Sequence, residues 1–248
     1  MLRPSDYPLP AEFELAYSLS NTVVFEMDPS LADDPNFTSE LLRASSYNGS
    51  RSLKTILSKK NYTALAEKCG QKGFSIEVLN KTKPSMVIMM LMIKELDRFG
   101  VTEEGVDLHF HQRALKDSKK VLALETAEFQ IELIASLGEG IEDKIIAYGL
   151  EDIENLQENF DTIVNAWRAG DLKAINKHFV NGIRNYSKLY KKVLVKRNRS
   201  WVRDLEVIIK TPGTEFVLVG VAHMAGDEGL IALLKEKGYT VEQLGLPF

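Results

Sequence analysis

The chain has 248 residues, of which 44% are hydrophobic, enough for one large domain or two small ones with a buried core. Lys and Arg number 31 and Asp and Glu 35, so the net charge of −4 gives the chain no general affinity for nucleic acid or anionic lipid. Cys69 is the only cysteine, which excludes intramolecular disulfides and cysteine-based metal cages. The nearest candidate for a membrane span, residues 85–93, is shorter than the roughly 20 apolar residues required.

Apolar periodicity and turn residues predict the elements in chain order. They are a helix at 11–20, a strand at 22–26, helical segments within 36–73, helices at 84–99 and 107–119, a strand at 121–125, a mainly helical stretch from 127 to 207 with breaks at Gly138, Gly140, Gly149 and Gly170, and strands at 215–220 and 239–244. Strands near both chain ends flank a helical middle. The sequence therefore predicts a single α/β domain over residues 1–248, with a central mixed β-sheet and a large helical insertion.

Chemistry-bearing side chains follow three of the predicted strands. Glu26 and Glu125 end the first two strands, and His223 follows the third in a turn after Gly220. Open α/β sheets bind ligands at the carboxyl ends of their strands, and carboxylates with an imidazole are suitable ligands for a divalent metal. Gly220 and Gly226 permit a sharp turn and a close approach of backbone to a ligand. The alternative is a structural histidine with two helix-capping glutamates.

Two other patterns are better explained by structure than by chemistry. His109 and His111 are two positions apart on a predicted helix and so do not share a face, which argues against a metal pair. The methionine-rich helix at 84–99 has no Cys or His nearby, so we expect it to be core rather than a soft-metal site.

A basic run at residues 188–201 has the composition of a solvated helix face. Within it, Arg197 and Asn198 are candidates for binding a substrate carboxylate, since a bidentate guanidinium suits that group.

Read in order, several segments resemble the TraB/PrgY/GumN family. They are YPLPAEFELAYSLSNTVVFEMD, GVDLHFHQRALKDSKKVLALETAEFQ, AWRAGDL, RNRSW and FVLVGVAHMAGDEGLIALLKEKGYTVEQL. This family includes the TIKI-type metalloproteases and is similar to the ChaN-like and erythromycin-esterase-like group. The resemblance implies a divalent-metal-dependent hydrolase that acts on peptides. One histidine with two carboxylates suits Mn²⁺ or Co²⁺ better than Zn²⁺.

The resemblance also implies roles for individual residues. The segment from Gly220 to His223 matches a Gly-x-x-His motif of the family, and Gly226 matches a turn glycine. The implied roles are metal binding by His223 and Glu26, catalysis by Glu26 and Glu125, and substrate binding by Arg197, Asn198 and Gln130.

One part of the family pattern is missing. The family has a first Gly-x-x-His just before the segment that matches LRPSDYPLP, and here Met1 stands where that motif ends. We expect either a truncated start or a loss of half the metal site, and therefore weak metal binding by the chain as given. A missing first strand would leave a sheet edge exposed for homo-oligomerisation. A missing leader would place the protein in the periplasm or otherwise outside the cytoplasm.

Two further functions stay open on the sequence. One is a non-catalytic peptide-binding protein that retains the same cleft. The other is an envelope- or polysaccharide-associated protein, which follows from family association alone.

Overall fold

The structure, a computed structural model, describes residues 1–102 and 104–245. The described residues form two compact units. Residues 1–29, 104–126 and 160–245 form the first unit, and residues 30–102 and 127–159 form the second.

The first unit contains a parallel sheet of strands from both ends of the chain. Its strands are β1 (Thr22–Phe25), β2 (Lys120–Ala123) and β3 (Glu215–Leu218), in the order β2-β1-β3. This confirms the predicted α/β class, and both pairings are parallel where a mixed sheet was expected. Because the strands are parallel and in register, their carboxyl ends meet at one edge.

The central strand is apolar from Val23 to Phe25, as expected for a strand that is covered on both faces. Val23, Val24 and Phe25 are almost completely buried, as expected for the middle strand of a parallel sheet. Residues Lys120 and Ala123 of β2 are exposed. In the described part of the chain β2 pairs with β1 on one side and with no strand on the other side. Homo-oligomerisation through this unpaired side of β2 stays a prediction.

Helices make up most of the remaining chain. The α-helices are α1 (Ala11–Leu19), α2 (Pro35–Ala44), α3 (Leu53–Ile56), α4 (Lys59–Gln71), α5 (Ile76–Leu79), α6 (Pro84–Arg98), α7 (Val106–Lys116), α8 (Ala127–Ala135), α9 (Glu142–Glu154), α10 (Leu156–Arg168), α11 (Leu172–Ile175), α12 (Asn181–Arg184), α13 (Ser187–Tyr190), α14 (Lys196–Ile208) and α15 (Leu230–Glu236). Short 3₁₀ turns span Pro4–Asp6, Pro29–Asp33 and Val221–His223, and π-helical turns span Asn176–Val180 and Lys191–Val195. None of the helices in the described residues is long and apolar enough to cross a membrane.

Two sequence predictions about elements are wrong. Residues 239–244 form no strand, because the Tyr239 N–H donates to Leu234 O and closes the end of α15 after Gly238, whose φ is +90°. Gly149 does not interrupt a helix, since it lies inside α9. The predicted helices at 11–20, 84–99 and 107–119 are confirmed as α1, α6 and α7.

Each unit has its own apolar core. In the first unit, Tyr17 of α1 and Phe110 of α7 pack with β1 residues such as Phe25. In the second unit, Val87 and Leu91 of α6 are completely buried among residues of α4 and α9. The prediction that α6 belongs to the core is confirmed, and its Met89, Met90 and Met92 side chains are half-buried rather than exposed.

Helix packing in the second unit leads to a stability prediction. A Cβ at Gly149 would lie 2.7 Å from Ile88 Cγ2, so Gly149→Ala forces Ile88 to move. Overpacking of about 1–3 kcal/mol exceeds the gain of about 0.8–1.0 kcal/mol in helix propensity, so we expect a net loss of about 1 kcal/mol. Gly70→Ala in α4 is the matched control, because no heavy atom lies within 4 Å of its Cβ position and the substitution is expected to stabilise.

Urea denaturation of both variants measures these changes. Adding Gly149→Ala to an Ile88→Ala background should remove the penalty, because the crowded atoms are then absent. If Gly149→Ala stabilises as much as Gly70→Ala, the close packing of α6 against α9 is wrong.

Candidate functional site

The carboxyl ends of the three strands bring Glu26, Glu125 and His223 into one cluster within the first unit. The Glu125 N–H donates to Glu26 O at 2.9 Å, which continues the β1–β2 pairing to the two glutamates. The Gly220 N–H donates to Glu26 Oε1 at 2.6 Å, and His223 Nε2 lies 3.9 Å from the same oxygen. The three side chains thus lie together at the edge where parallel sheets bind ligands.

Arg197 of α14 lies at the centre of this cluster. Its Nε–H and one Nη2–H donate to Glu125 at 2.7 Å and 2.9 Å, and Nη2 also donates to Glu26 Oε2 at 2.6 Å. Its Nη1 donates to His223 Nε2 at 3.1 Å and to Val193 O at 3.2 Å. A guanidinium has five N–H groups, so each one is matched with a protein acceptor here.

The carboxylates of Glu125 and Glu26 stabilise the positive charge of Arg197. Burial lowers the pKa of Arg197, but the hydrogen bonds and charges of Glu125 and Glu26 outweigh that effect and raise it. Arg197 therefore remains a guanidinium while it is buried between two carboxylates. Its aromatic neighbour is Trp201, whose ring centroid lies 4.6 Å from the guanidinium carbon and whose Nε1–H donates to Glu125 Oε1 at 2.9 Å.

The two glutamates differ in their access to solvent. The Glu125 side chain is 6% exposed and accepts hydrogen bonds from both Arg197 and Trp201. The Glu26 side chain is 25% exposed. Of the two carboxylates, Glu26 is therefore the one that a bound molecule reaches.

His223 is a buried, neutral imidazole in the cluster. Burial lowers its pKa to about 4, and the charge of Arg197 acts in the same direction, although Glu26 opposes them. Its Nδ1 lies 2.5 Å from Asn198 Oδ1, and its ring packs against Trp201 with centroids 4.3 Å apart and the ring planes tilted by 42°. Asn198 itself is 2% exposed.

Helix α14 presents these side chains on one face. Arg197, Asn198, Trp201, Val202 and Leu205 are its buried residues, and their spacing follows the helical repeat. The π-helical turn Lys191–Val195 directly precedes α14, and such turns are frequent at functional sites. Sequence periodicity does not reveal a π turn, so the orientation of this face was not predictable.

The turn glycines are required by close packing. A Cβ on Gly220 would lie 3.2 Å from Glu26 Oε1, which crowds the hydrogen bond at this position. Gly226 has a φ of +81°, and a Cβ there would lie 2.7 Å from Asn176 Oδ1 and 2.9 Å from Arg184 Nη2.

The remaining candidates from the sequence are Gln130 and three histidines. Gln130 is on α8 in the second unit, and its role in substrate binding stays a prediction. His111 is buried in α7, with its Nε2 3.5 Å from Asp28 Oδ1, and His109 is half-buried. His178 is exposed.

Two residues near the cluster were not assigned from the sequence. In the sequence Trp201 is only the end of a basic run, yet its Nε1–H donates to Glu125 and its ring packs against His223. Asp107, in the first turn of α7, has a raised pKa, first because of desolvation and then because of the Glu26 charge. Since the surface of Asp107 is largely exposed, we assign it no role on this shift.

The donor set fits a divalent metal only loosely. His223 offers a neutral imidazole and Glu26 an accessible carboxylate, and these donors suit Mn²⁺ or Co²⁺. Arg197 Nη1 lies against His223 Nε2, so the guanidinium has to release that nitrogen before an ion binds it. No group of three or more His, Cys, Asp or Glu residues in the described chain is arranged to hold a metal.

The hub position of Arg197 leads to a prediction about stability. Arg197→Ala leaves buried Glu125 without its cation, so we expect a loss of about 3–5 kcal/mol in the free energy of unfolding. Arg197→Ala combined with Glu125→Gln should recover part of that loss, since the unpaired charge is removed. Arg203→Ala on the exposed face of α14 is the control and should stay within about 0.5 kcal/mol of wild type. Equal effects of Arg197→Ala and Arg203→Ala in chemical denaturation would contradict the conclusion that Arg197 stabilises the cluster.

The low pKa of His223 predicts a dependence of stability on pH. Because its folded-state pKa, about 4, lies below the ordinary value of 6.5, the unfolded chain binds the proton first as the pH falls. Stability should therefore decrease from pH 6.5 to pH 4 by about 3 kcal/mol more in wild type than in His223→Gln. His178→Gln, at an exposed histidine, should follow the wild-type profile. Parallel pH profiles for wild type and His223→Gln would show that the imidazole is not buried in its neutral form.

Comparison with known proteins assigns the family. The model of the TraB/PrgY/gumN family matches residues 1–243. Among similar proteins are the uncharacterized protein YbaP of Escherichia coli (strain K12), 23% identical over 92% of this chain and 82% of that protein, and the metalloprotease TIKI2 of Danio rerio, 23% identical over 96% of this chain and 55% of that protein. No solved structure matches the chain. With nearly its whole length matched by one family model, the chain belongs to the TraB/PrgY/gumN family.

Proposed function

We propose that this protein is a divalent-metal-dependent hydrolase that acts on peptides. The observation that carries the proposal is the cluster of Glu26, His223 and Arg197 at the carboxyl ends of parallel strands. The distant likeness to a protein named as a metalloprotease supports it, as does membership of the family.

In the proposed site, His223 Nε2 and the Glu26 carboxylate would hold the ion. Bound there, the ion would polarise a carbonyl and lower the pKa of a water molecule. With so few protein ligands the affinity is low, and Mn²⁺ or Co²⁺ suits this mixture of oxygen and nitrogen better than Zn²⁺ does.

The two carboxylates have different tasks in this proposal. Glu26 is the more accessible, so it accepts the proton of the attacking water as general base. Glu125 is buried against Arg197 and Trp201, and it acts as the anion that keeps Arg197 in place. Glu125 is then a positioning residue, in contrast to the catalytic role implied by the family resemblance.

Arg197 has two states in the proposed cycle. With all five N–H groups bound to protein acceptors, it has none left for a substrate carboxylate or a developing oxyanion. An ion held at His223 Nε2 would free one Nη1–H of Arg197 to donate to the substrate. Metal binding and substrate recognition by Arg197 would then be coupled.

An apolar cavity next to the histidine turn supports peptides as the substrate class. Val221 and Met224, on either side of Ala222 and His223, line a cavity of about 490 Å³ together with Trp167 and Ile231. Its lining is mainly apolar, as is usual for sites that accept hydrophobic side chains.

One observation favours a second function, non-catalytic peptide binding. The guanidinium of Arg197 already covers the His223 nitrogen that an ion requires. If this arrangement persists with peptide present, the protein binds peptide in the same cleft without cleaving it.

Metal binding and cleavage test the proposal together. Wild-type protein is titrated with Mn²⁺ by calorimetry and incubated with a mixed peptide library that is analysed by mass spectrometry. We expect His223→Ala and Glu26→Gln to lower the Mn²⁺ affinity by about a hundredfold or more, because loss of a ligand exceeds the 10–100-fold effect typical of outer-sphere partners. Cleavage should require added Mn²⁺ or Co²⁺ and disappear in both variants.

The matched control is His178→Ala, at an exposed histidine outside the cluster, which should leave both measurements unchanged. Peptide binding without metal uptake or cleavage would replace the hydrolase by the peptide-binding function. Cleavage that survives His223→Ala would show that the cluster is not the active site.

A further inference from the structure

We propose that Asn198 is a positioning residue that fixes the tautomer and the ring orientation of His223, rather than a residue that binds substrate. The tautomer and orientation of His223 follow from its hydrogen bonds alone. Only the use of the oriented ring as a metal ligand rests on the proposed function. At 2% exposure, Asn198 has almost no surface to offer a substrate.

The orientation of the Asn198 amide is set by two carbonyl groups. Its Nδ2 donates to Glu228 O at 2.7 Å and to His223 O at 3.4 Å. Carbonyl oxygens only accept, so the nitrogen of the amide must face them and the oxygen must face the imidazole. Asn198 Oδ1 is 2.5 Å from His223 Nδ1, and an amide oxygen only accepts, so Nδ1 carries the proton.

The other side of the ring gives the same answer independently. Arg197 has only N–H donors, and its Nη1 lies 3.1 Å from His223 Nε2, so Nε2 must carry the lone pair. A protonated Nε2 would place two N–H groups against each other. Both neighbours thus select the neutral Nδ1–H tautomer.

This tautomer is the one a metal site needs. A histidine that binds through Nε2 usually donates its Nδ1–H to a neighbouring acceptor, which orients the ring and strengthens the ligand. Asn198 provides that acceptor whether Nε2 faces the guanidinium of Arg197 or an ion. It also ties the ring to the turn at Glu228, where Arg199 adds an ion pair at 3.2 Å.

Nuclear magnetic resonance of the imidazole nitrogens tests the proposal without depending on activity. Protein labelled with ¹⁵N in the histidine rings gives long-range ¹H–¹⁵N correlations that distinguish the two neutral tautomers, and His223→Gln identifies the His223 signals among the four histidines. We expect the Nδ1–H pattern in wild type at neutral pH. Asn198→Leu keeps the size of the side chain but removes the acceptor. Arg197 still requires the lone pair on Nε2, so the Nδ1–H tautomer should persist while the Nδ1 proton loses its hydrogen bond, seen as an upfield shift and faster exchange with water.

Asn198→Asp separates the two contacts of the amide. Its carboxylate still accepts from Nδ1–H but cannot donate to Glu228 O, so Nδ1 should stay protonated while the turn at Glu228 loosens. Asn185→Leu, at an exposed asparagine of the same unit, is the control and should leave the His223 pattern unchanged. In the metal titration, Asn198→Leu should weaken Mn²⁺ binding by about 10–100-fold.

The outcomes are separable from those of the proposed function. An Nε2–H pattern in wild type, or an Nδ1 proton whose chemical shift and exchange rate are unchanged in folded Asn198→Leu, overturns the role of Asn198. The wild-type spectrum decides the first point even if Asn198→Leu does not fold. The expected tautomers without any metal binding support Asn198 as the positioning residue and reject the hydrolase instead.

Discussion

The structure of the site depends on the burial of one guanidinium, that of Arg197. Removing a charge from water costs several kcal/mol unless good hydrogen bonds replace the lost hydration. Here two carboxylates, an imidazole and a backbone carbonyl accept all five N–H groups. Each acceptor comes from a different part of the chain, so the guanidinium holds three strand ends and the turn before α14 in one arrangement.

Arg197 also sets the net charge of the cluster. With His223 neutral, Glu26 and Glu125 exceed Arg197 by one negative charge. Glu26, the more accessible carboxylate, is where that excess meets solvent. A cation or a polarised substrate group is therefore attracted to Glu26, while Glu125 remains behind Arg197 and Trp201.

Rigid support and exchangeable contacts are combined in this site. His223 is hydrogen-bonded by Asn198 and packed against Trp201, so its ring has little freedom. Its Nε2 contact with Arg197 is longer, at 3.1 Å, than the contacts of Arg197 with Glu125 and Glu26. This contact is the one that an ion bound to His223 Nε2 would replace. A metal-dependent hydrolase and a peptide-binding protein differ in whether that exchange takes place.

The sequence by itself determined the elements that depend on local pattern. Apolar, β-branched runs produced β1 and β3, Pro84 and Gly100 delimited α6, and the rule for parallel sheets was enough to bring Glu26, Glu125 and His223 to one edge. Family motifs pointed to Arg197 and Asn198 but assigned both to the substrate.

Only the tertiary structure decided which side chains form hydrogen bonds with each other. Arg197 meets Glu26 across 171 positions of sequence and Glu125 across 72, and no local pattern records such a distance. The π turn before α14 and the bond from Trp201 to Glu125 were equally invisible, because they depend on how a helix face is packed. The composition of residues 239–244 predicts a strand, yet the Tyr239 N–H donates to Leu234 O at the end of α15. Propensity and periodicity act over a few residues, whereas the hydrogen bonds of a buried charge are satisfied by whichever segments the fold brings within reach.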